Sequence, residues 1–412
     1  MSPAEVSRDQ LAATARRWRV ASRACVPPFH VMDVIATAAE RQRTHGDLVA
    51  MMAGQPMTGA PRPVREAAHR LLDSADPLGY TSATGIAALR AAIAGHHRHR
   101  YGVEIAPDDV VVTTGSSGGF LLAFLAAFES GDRVAIARPG YPCYRNVLTS
   151  LGCQVVEVET GPETRFQPTV AQLEELHAAA PIRGLIVASP ANPTGTMLLP
   201  AELAALAMWC EAYGVQLISD EIYHGIEYDA DGPATEPQAR TAWETSREAI
   251  VFGSFSKYFS MTGWRIGWML VPERLRRAVD VLAGNFTICP PALAQHAAVS
   301  AFTEASYAEL DGHVRRYATN RQMLLDGLPA LGIDRLAPAD GAFYVYADVG
   351  HLTDDTMALS RRMLAEIGVA IAPGIDFDTV DGGRYLRFSF AGRTEDIAEG
   401  LERLARFDFR GS

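Results

Sequence analysis

The chain has 412 residues, 48% hydrophobic and 21% charged, with a formal net charge of −11, which suggests two domains or one large domain with an appendage and excludes a disordered or fibrous chain. The acidic balance argues against a nucleic-acid partner, because Arg16, Arg17 and Arg19 and the basic run 96–100 are too short and isolated to form a basic surface. The five cysteines, Cys25, Cys143, Cys153, Cys210 and Cys289, never form a C-x-x-C pair, and the longest apolar run, 120–128, is half a membrane span, so reduced cytoplasmic thiols and no membrane anchor are expected.

The first 45 residues, with Pro27-Pro28 in the middle, read as an arm and a helix. In the run 96–100, His96, His97 and His99 stand beside arginines that repel a cation, so a solvated helix face is expected there and no metal site. Strands are predicted over 110–114, 133–138, 154–158, 184–189, 215–220, 249–254 and 266–271, with helices between them over 120–129 and 201–213. This alternation predicts an α/β fold whose large domain carries a mostly parallel seven-stranded sheet between helices. The segment Asp229 to Gln238, rich in Pro, Asp and Gly, reads as an exposed excursion without chemistry. From about 290 the texture changes to a long helix, 306–328, then strands at 342–348, 369–372 and 385–390 interleaved with helices at 356–367 and 394–406. The expected division is an arm and helix over 1–50 that joins a smaller α+β domain over 291–412, with a large cofactor-binding domain over 51–290.

In an open parallel sheet the ligand sits beyond the carboxyl ends of the strands, so the polar residues just after each strand are the candidates. After 110–114 comes Gly115-Ser116-Ser117-Gly118-Gly119 opening a helix, a turn that offers backbone N–H groups and a positive dipole end to a phosphate. After 184–189, Asn192-Pro193-Thr194-Gly195 can aim an amide into the cleft. Asp220 ends an apolar strand, with Tyr223 three residues on, and a carboxylate buried there needs a cation or donors. Lys257 follows the strand 249–254, where burial favours a neutral amine able to attack a carbonyl, and Arg265 follows eight residues later. Arg387 lies within an apolar strand, a planar fork suited to a carboxylate. Taken singly, Asp220 is more often a cap, the Asn192 turn a mere turn and Arg387 a structural ion pair. Their joint occurrence in one order is what calls for a common explanation.

That order resembles the fold type I pyridoxal-phosphate enzymes, and specifically the class I/II aminotransferases. The resemblance runs from Gly54-Gln55-Pro56 to Arg387 and rests on Tyr80-Thr-x-x-x-Gly85-x-x-x-Leu-Arg90, Asn192-Pro-Thr-Gly195, Asp220-x-x-Tyr223, Ser254-x-Ser-Lys257 and Arg265-x-Gly267. It implies transfer of the α-amino group of an L-amino acid to a 2-oxo acid, 2-oxoglutarate or pyruvate, in a ping-pong cycle on pyridoxal 5'-phosphate. It further implies that Lys257 is the Schiff-base lysine and proton shuttle, that Asp220 pairs with the pyridinium N–H, and that Asn192 and Tyr223 hydrogen-bond the phenolic oxygen of the ring. Ser116, Ser117, Ser254, Arg265 and Ser256 would hold the phosphate, and Tyr141 would stack on the ring. Arg387, helped by backbone near Gly54 and by Asn192, would clamp the substrate carboxylate. Tyr80 would reach the phosphate of a neighbouring subunit, which implies a homodimer with shared active sites.

Relatives that prefer acidic substrates carry a second cation, in some a lysine in the glycine-rich turn, where this chain has Ser117. Arg23 could supply that charge instead, whereas Phe29, Met57 and Phe286 suit an aromatic or aliphatic side chain and suit core packing equally well. Two other readings stand beside this one. A C-S β-lyase shares the same cofactor residues, and Gly115-x-Ser117-x-Gly119 also matches the nucleophile elbow of an α/β-hydrolase, with Asp220 and His351 as nominal partners.

Overall fold

Short runs rich in Val, Ile and Leu, apolar on both faces, become strands that helices cover on both sides. A computed structural model describes residues 20–230 and 232–409, so Arg16, Arg17 and Arg19 and the start of the expected arm lie outside the described residues. In chain order the strands are β1 (Val49–Ala50), β2 (Val110–Thr113), β3 (Arg133–Arg138), β4 (Gln154–Glu159), β5 (Gly184–Ala188), β6 (Gln216–Asp220), β7 (Ile250–Ser254) and β8 (Gly267–Leu270). They are followed by β9 (Arg335–Leu336), β10 (Tyr344–Asp348), β11 (Val369–Ala370), β12 (Ala372–Pro373) and β13 (Tyr385–Ser389).

The central sheet has seven strands in the order β2-β8-β7-β6-β5-β3-β4. β8 runs antiparallel to both neighbours, and the other pairs are parallel. All seven expected strands are present, and every residue of β2, β6, β7 and β8 is buried. A second sheet, β9-β10-β13-β12, is antiparallel, and β1 pairs in parallel with β11 beside it. The expected long helix spans Glu304–Ala330, and from it buried Asn320 donates to the carbonyls of Phe390 and Gly392, both at 3.0 Å, which fixes the helix to the end of β13.

Of the histidine run, His99 is exposed as expected, but His96 and His97 are not on a solvated face. On the helix Ala87–Tyr101, Leu89, Ile93, His96, His97 and Tyr101 are all buried, because the i, i+4 row carries His97 onto the apolar face and the i, i+3 row carries His96 there. Trp268 Nε1 donates to His97 Nε2 at 3.3 Å, and His96 Nδ1 meets the Tyr307 hydroxyl at 2.8 Å. Burial lowers the pKa of both imidazoles, that of His97 to about 3, so both are neutral members of the core. The segment after Asp229 is a short ribbon in which Tyr228–Asp229 pairs with Gly232–Pro233. Among the described residues no helix is long and apolar enough to cross a membrane.

Candidate active site

The register of the central sheet brings four strand ends to one edge. Asp220, the last residue of β6, lies opposite Ala188 of β5 and Phe252 of β7, and Ser254 of β7 lies opposite Gly267 of β8. Because β8 runs the other way, its first residue reaches this edge, and Arg265 arrives two positions before it. Above the edge is a cleft of about 570 Å³ whose lining includes Gly54, Ser116, Ser117, Tyr141, Asn192, Asp220, Tyr223, Ser256, Lys257, Arg265 and Arg387. A second cavity, of about 710 Å³, lies between the Gln55–Ala60 and Ser260–Trp264 segments and has no ionisable side chain in its lining, so the chemistry belongs to the smaller cleft.

Asp220 is buried, and both groups that donate to it are neutral: the Tyr144 hydroxyl to Oδ2, and the Ile222 N–H to Oδ1 at 3.2 Å. Burial raises its carboxyl to about 6, against the pull of these two donors and of Lys257. The Lys257 amine donates to the Gly54 carbonyl at 2.6 Å and stands 5.2 Å from the centre of the Tyr223 ring. Burial first, then the Arg387 cation, lower its pKa to about 8, with Asp220 opposing and Arg265 adding a smaller push down.

Arg387 is almost fully buried in β13, where it pairs in register with Tyr346 and Ala372. Its Nη1 donates to Asn192 Oδ1 and its Nη2 to the Met52 carbonyl, each at 2.8 Å. The guanidinium lies over the Tyr344 ring at 4.4 Å and the Phe377 ring at 4.7 Å, while Nε is buried without a hydrogen-bond partner among the described residues. The Tyr344 hydroxyl shares a hydrogen bond with the Tyr223 hydroxyl at 2.7 Å.

At the other end of the cleft, Gly115 has a φ of +67°, which a side chain would strain, and a Cβ there would strike the Arg265 guanidinium. Gly267 is equally constrained by contact, since a Cβ would lie 3.0 Å from the Ser116 nitrogen. The helix Gly115–Ala127 therefore starts pressed against β8, with Ser116, Ser117 and Arg265 grouped at its positive end.

Ser254 and Tyr80 do not line the cleft. Ser254 is buried and its hydroxyl accepts the Ser256 N–H at 3.0 Å, whereas Tyr80 is 84% exposed. Of the apolar candidates, Phe29 and Met57 line the cleft and exposed Phe286 does not. Arg23 is absent from the lining too, and its carbonyl accepts the Ser150 hydroxyl at 2.9 Å. His351 is exposed and bonded to the Gly332 carbonyl at 2.8 Å, so it joins no triad with Ser117 and Asp220. Among the site residues that went unnoticed in the sequence are Tyr144, Tyr344 and, in the apolar wall, Val31, Met32, Ile35 and Met52. Tyr144 lies three residues after Tyr141 on the helix Pro142–Ser150, and that spacing was a readable signal. Tyr344, Met32 and Ile35 carried none.

These strand-end groups, on a mostly parallel sheet with a second antiparallel sheet closing over them, define a class of transferase. The sequence matches the family "Aminotransferase class I and II" over residues 46–404; the chain belongs to that family and is an aminotransferase. Members of the family use pyridoxal phosphate. The chain is 62% identical over 386 residues, 94% of it and 97% of the relative, to the valine–pyruvate aminotransferase of Mycobacterium tuberculosis. It is 35% identical to the aspartate/prephenate aminotransferase of Thermus thermophilus, over 92% of this chain and 96% of that one. Among solved structures, an aminotransferase from Mycobacterium tuberculosis superposes with a TM-score of 0.91 at 62% identity, over 94% of this chain and 98% of that one. The Thermus thermophilus aspartate aminotransferase with maleate gives a TM-score of 0.87 at 33% identity, over 94% of this chain and 99% of that one.

Proposed function

We propose that the amino donor is an L-amino acid with an apolar, aliphatic side chain such as valine, and that the acceptor is pyruvate or 2-oxoglutarate. The observation that carries this is the wall of Phe29, Val31, Met32, Ile35, Met52 and Met57 along the cleft, whose lining among the described residues holds no cation beyond Lys257, Arg265 and Arg387. A distal carboxylate would meet methyl and thioether groups there and lose its hydration without compensation. The 62% identical relative named a valine–pyruvate aminotransferase supports the same choice.

The residues fit pyridoxal phosphate. Asp220 is a buried carboxylate with only neutral donors, suited to a protonated ring nitrogen, and the constrained turn at Gly115 and Gly267 aims a helix N-terminus at an anion. When bound, the cofactor supplies an electron-withdrawing ring conjugated with the substrate nitrogen. Lys257 anchors it, and its freed Nζ takes the proton from the substrate Cα and returns one to the product. Asp220 would keep the ring nitrogen protonated, Asn192 and Tyr223 would hydrogen-bond the ring oxygen, and Tyr141 would stack on the ring. Ser116, Ser117, Ser256 and Arg265 would hold the phosphate through hydroxyls, N–H groups and the guanidinium, with Ser254 behind them supporting Ser256 through its N–H. Arg387, with Asn192 and the Gly54 backbone, clamps the substrate carboxylate and fixes which Cα bond faces Lys257.

The functional unit on this reading is a homodimer, with Tyr80, 84% exposed on its own chain, reaching the partner's phosphate site. Residues 51–290 form the cofactor-binding domain and 291–412 the small one, joined by the segment 1–50. Five unpaired cysteines favour the cytoplasm. The test mixes the purified enzyme with single amino acids and follows the absorbance change from the aldehyde to the amine form of the cofactor. Valine should give the change faster than aspartate and pyruvate should reverse it; a preference for aspartate, or pyruvate and ammonia released without an acceptor, would overturn the proposal.

A further inference from the structure

The helix His30–His45 starts without a cap of its own: Phe29, at its N-cap, contributes no side-chain hydrogen bond. Its first turn is held from the far end of the sequence. Asp376 Oδ1 accepts the His30 N–H at 2.8 Å and Oδ2 accepts the Val31 N–H at 2.7 Å. These are orphan donors at the positive end of a helix dipole, and a carboxylate is the group that best satisfies them. Asp376 is itself only 3% exposed, so the bond is shielded from water.

The turn that carries Asp376 is anchored on the cleft side as well. The Asp376 carbonyl accepts Arg145 Nη2 at 3.2 Å, and the Phe377 carbonyl accepts the Gly140 N–H at 2.9 Å, next to Tyr141. The helix has two faces with different work. Val34 and Ala38 are buried in a cluster with Leu364, Ala372 and Phe377, Val31 belongs to that cluster and also borders the cleft, and Met32 and Ile35 face the cleft, 55% and 36% exposed. Phe29 precedes the helix and meets the Tyr141 ring edge-on at 6.4 Å.

We infer that Asp376 is a positioning residue for donor selection: by clamping the first turn of the helix His30–His45, it sets where Phe29, Met32 and Ile35 stand over the cleft. This rests on the reading of that cleft as an apolar donor site. Asp376 makes no observed hydrogen bond or ion pair with a residue assigned to the chemistry; Arg387 acts on it only through its field and through Phe377, over which the guanidinium lies at 4.7 Å. Its loss loosens the wall that a branched side chain contacts and leaves the groups that meet every amino acid, Arg387 and Lys257, in place.

The experiment compares Asp376→Ala and Asp376→Asn holoenzymes with wild type, using valine and alanine as donors. The Ala variant should lose roughly 2- to 30-fold of its selectivity for valine over alanine in kcat/KM, the range expected for losing a helix N-terminal cap. The loss should appear in KM for valine, with alanine turnover little changed. Asn keeps one acceptor oxygen and should restore part of it. Met32→Ala, which alters the wall and spares the clamp, should mimic the loss. Amide hydrogen exchange over residues 30–36 should be faster in Asp376→Ala by a similar factor. Equal losses for both donors, or unchanged exchange in that segment, overturn the inference. If wild type fails to prefer valine, the donor assignment falls alone, and the exchange measurement still decides the clamp.

Discussion

Arg387 Nη1 donates to Asn192 Oδ1 at 2.8 Å across 195 residues of sequence, so the small antiparallel sheet and the turn after β5 meet at one hydrogen bond inside the cleft. The same guanidinium donates to the Met52 carbonyl and lies over two aromatic rings, so both its fork and its flat face are used. A lysine keeps the charge and loses the rest. Arg387→Lys should lower kcat/KM for every amino donor by on the order of 10²- to 10³-fold, within the roughly 2–5 kcal/mol typical of breaking a buried, hydrogen-bonded charge site. Both KM and kcat should move, since the clamp orients as well as binds. Steady-state kinetics showing a normal KM would remove Arg387 from carboxylate recognition.

Lys257 has its amine lowered to about 8 by burial and by Arg387. The neutral amine is the form that attacks an aldehyde, so cofactor uptake by the apoenzyme should accelerate with rising pH and reach its midpoint near 8, where an ordinary lysine would need about 10.4. Arg387→Ala removes a neighbouring cation, and the midpoint should rise. Stopped-flow absorbance of pyridoxal phosphate binding at a series of pH values gives both numbers. An unmoved midpoint in the variant would mean that burial alone sets the amine.

The central strands were legible because β2, β6, β7 and β8 are buried on both faces, and such strands appear in sequence as unbroken apolar runs. The groups at their ends were legible for the same reason, since a polar residue closing an apolar run has few other places to go. His96 and His97 were misjudged because composition suggested a wet face while the helical period carried both into the core. The helix Val170–Ala179 went unpredicted although Thr169 and Gln172 form a capping box, a local signal that was there to use. Tyr344 could not have been found: its pairing with Tyr223 joins positions 121 apart and exists only once the two sheets meet.

Gly267 is a second point where a small change should reach the cofactor. A methyl group there would meet the Ser116 nitrogen at 3.0 Å and the Gly253 carbonyl oxygen at 3.1 Å, both backbone atoms with little freedom to move. Relief requires the start of the helix Gly115–Ala127 to shift, at about 1–3 kcal/mol by the usual cost of overpacking. Gly267→Ala should therefore weaken pyridoxal phosphate binding roughly tenfold or more, read by equilibrium titration of the apoenzyme. Gly263→Ala, with no atom within 4 Å of its added carbon, is the matched control. Wild-type affinity in Gly267→Ala would show that the turn tolerates the shift and is no tight cradle.

Glu221 follows Asp220 but turns away from the cleft into the core. Its Oε1 accepts the Ser219 hydroxyl at 3.0 Å and the Ala242 N–H at 2.8 Å, while Oε2, with no hydrogen bond among the described residues, lies 3.6 Å from His224 Nδ1. Burial raises its pKa from 4.5 to about 8, against the pull of the donors at Oε1. Between those two values the native protein holds a proton that the unfolded chain has lost, so this group costs stability as pH rises, by at most about 1.4 kcal/mol per pH unit. Glutamine matches the protonated acid in shape, presents one acceptor to the same two donors, and does not titrate. The stability of Glu221→Gln relative to wild type should therefore grow as pH rises from about 5 to about 8 and level off above. Urea unfolding of both holoenzymes at matched cofactor saturation measures the difference at each pH, and groups common to both proteins largely cancel. A difference that stays flat across this range would mean that Glu221 is already ionised in the native core, with a protonated His224, 3.6 Å from Oε2, as its counter-charge.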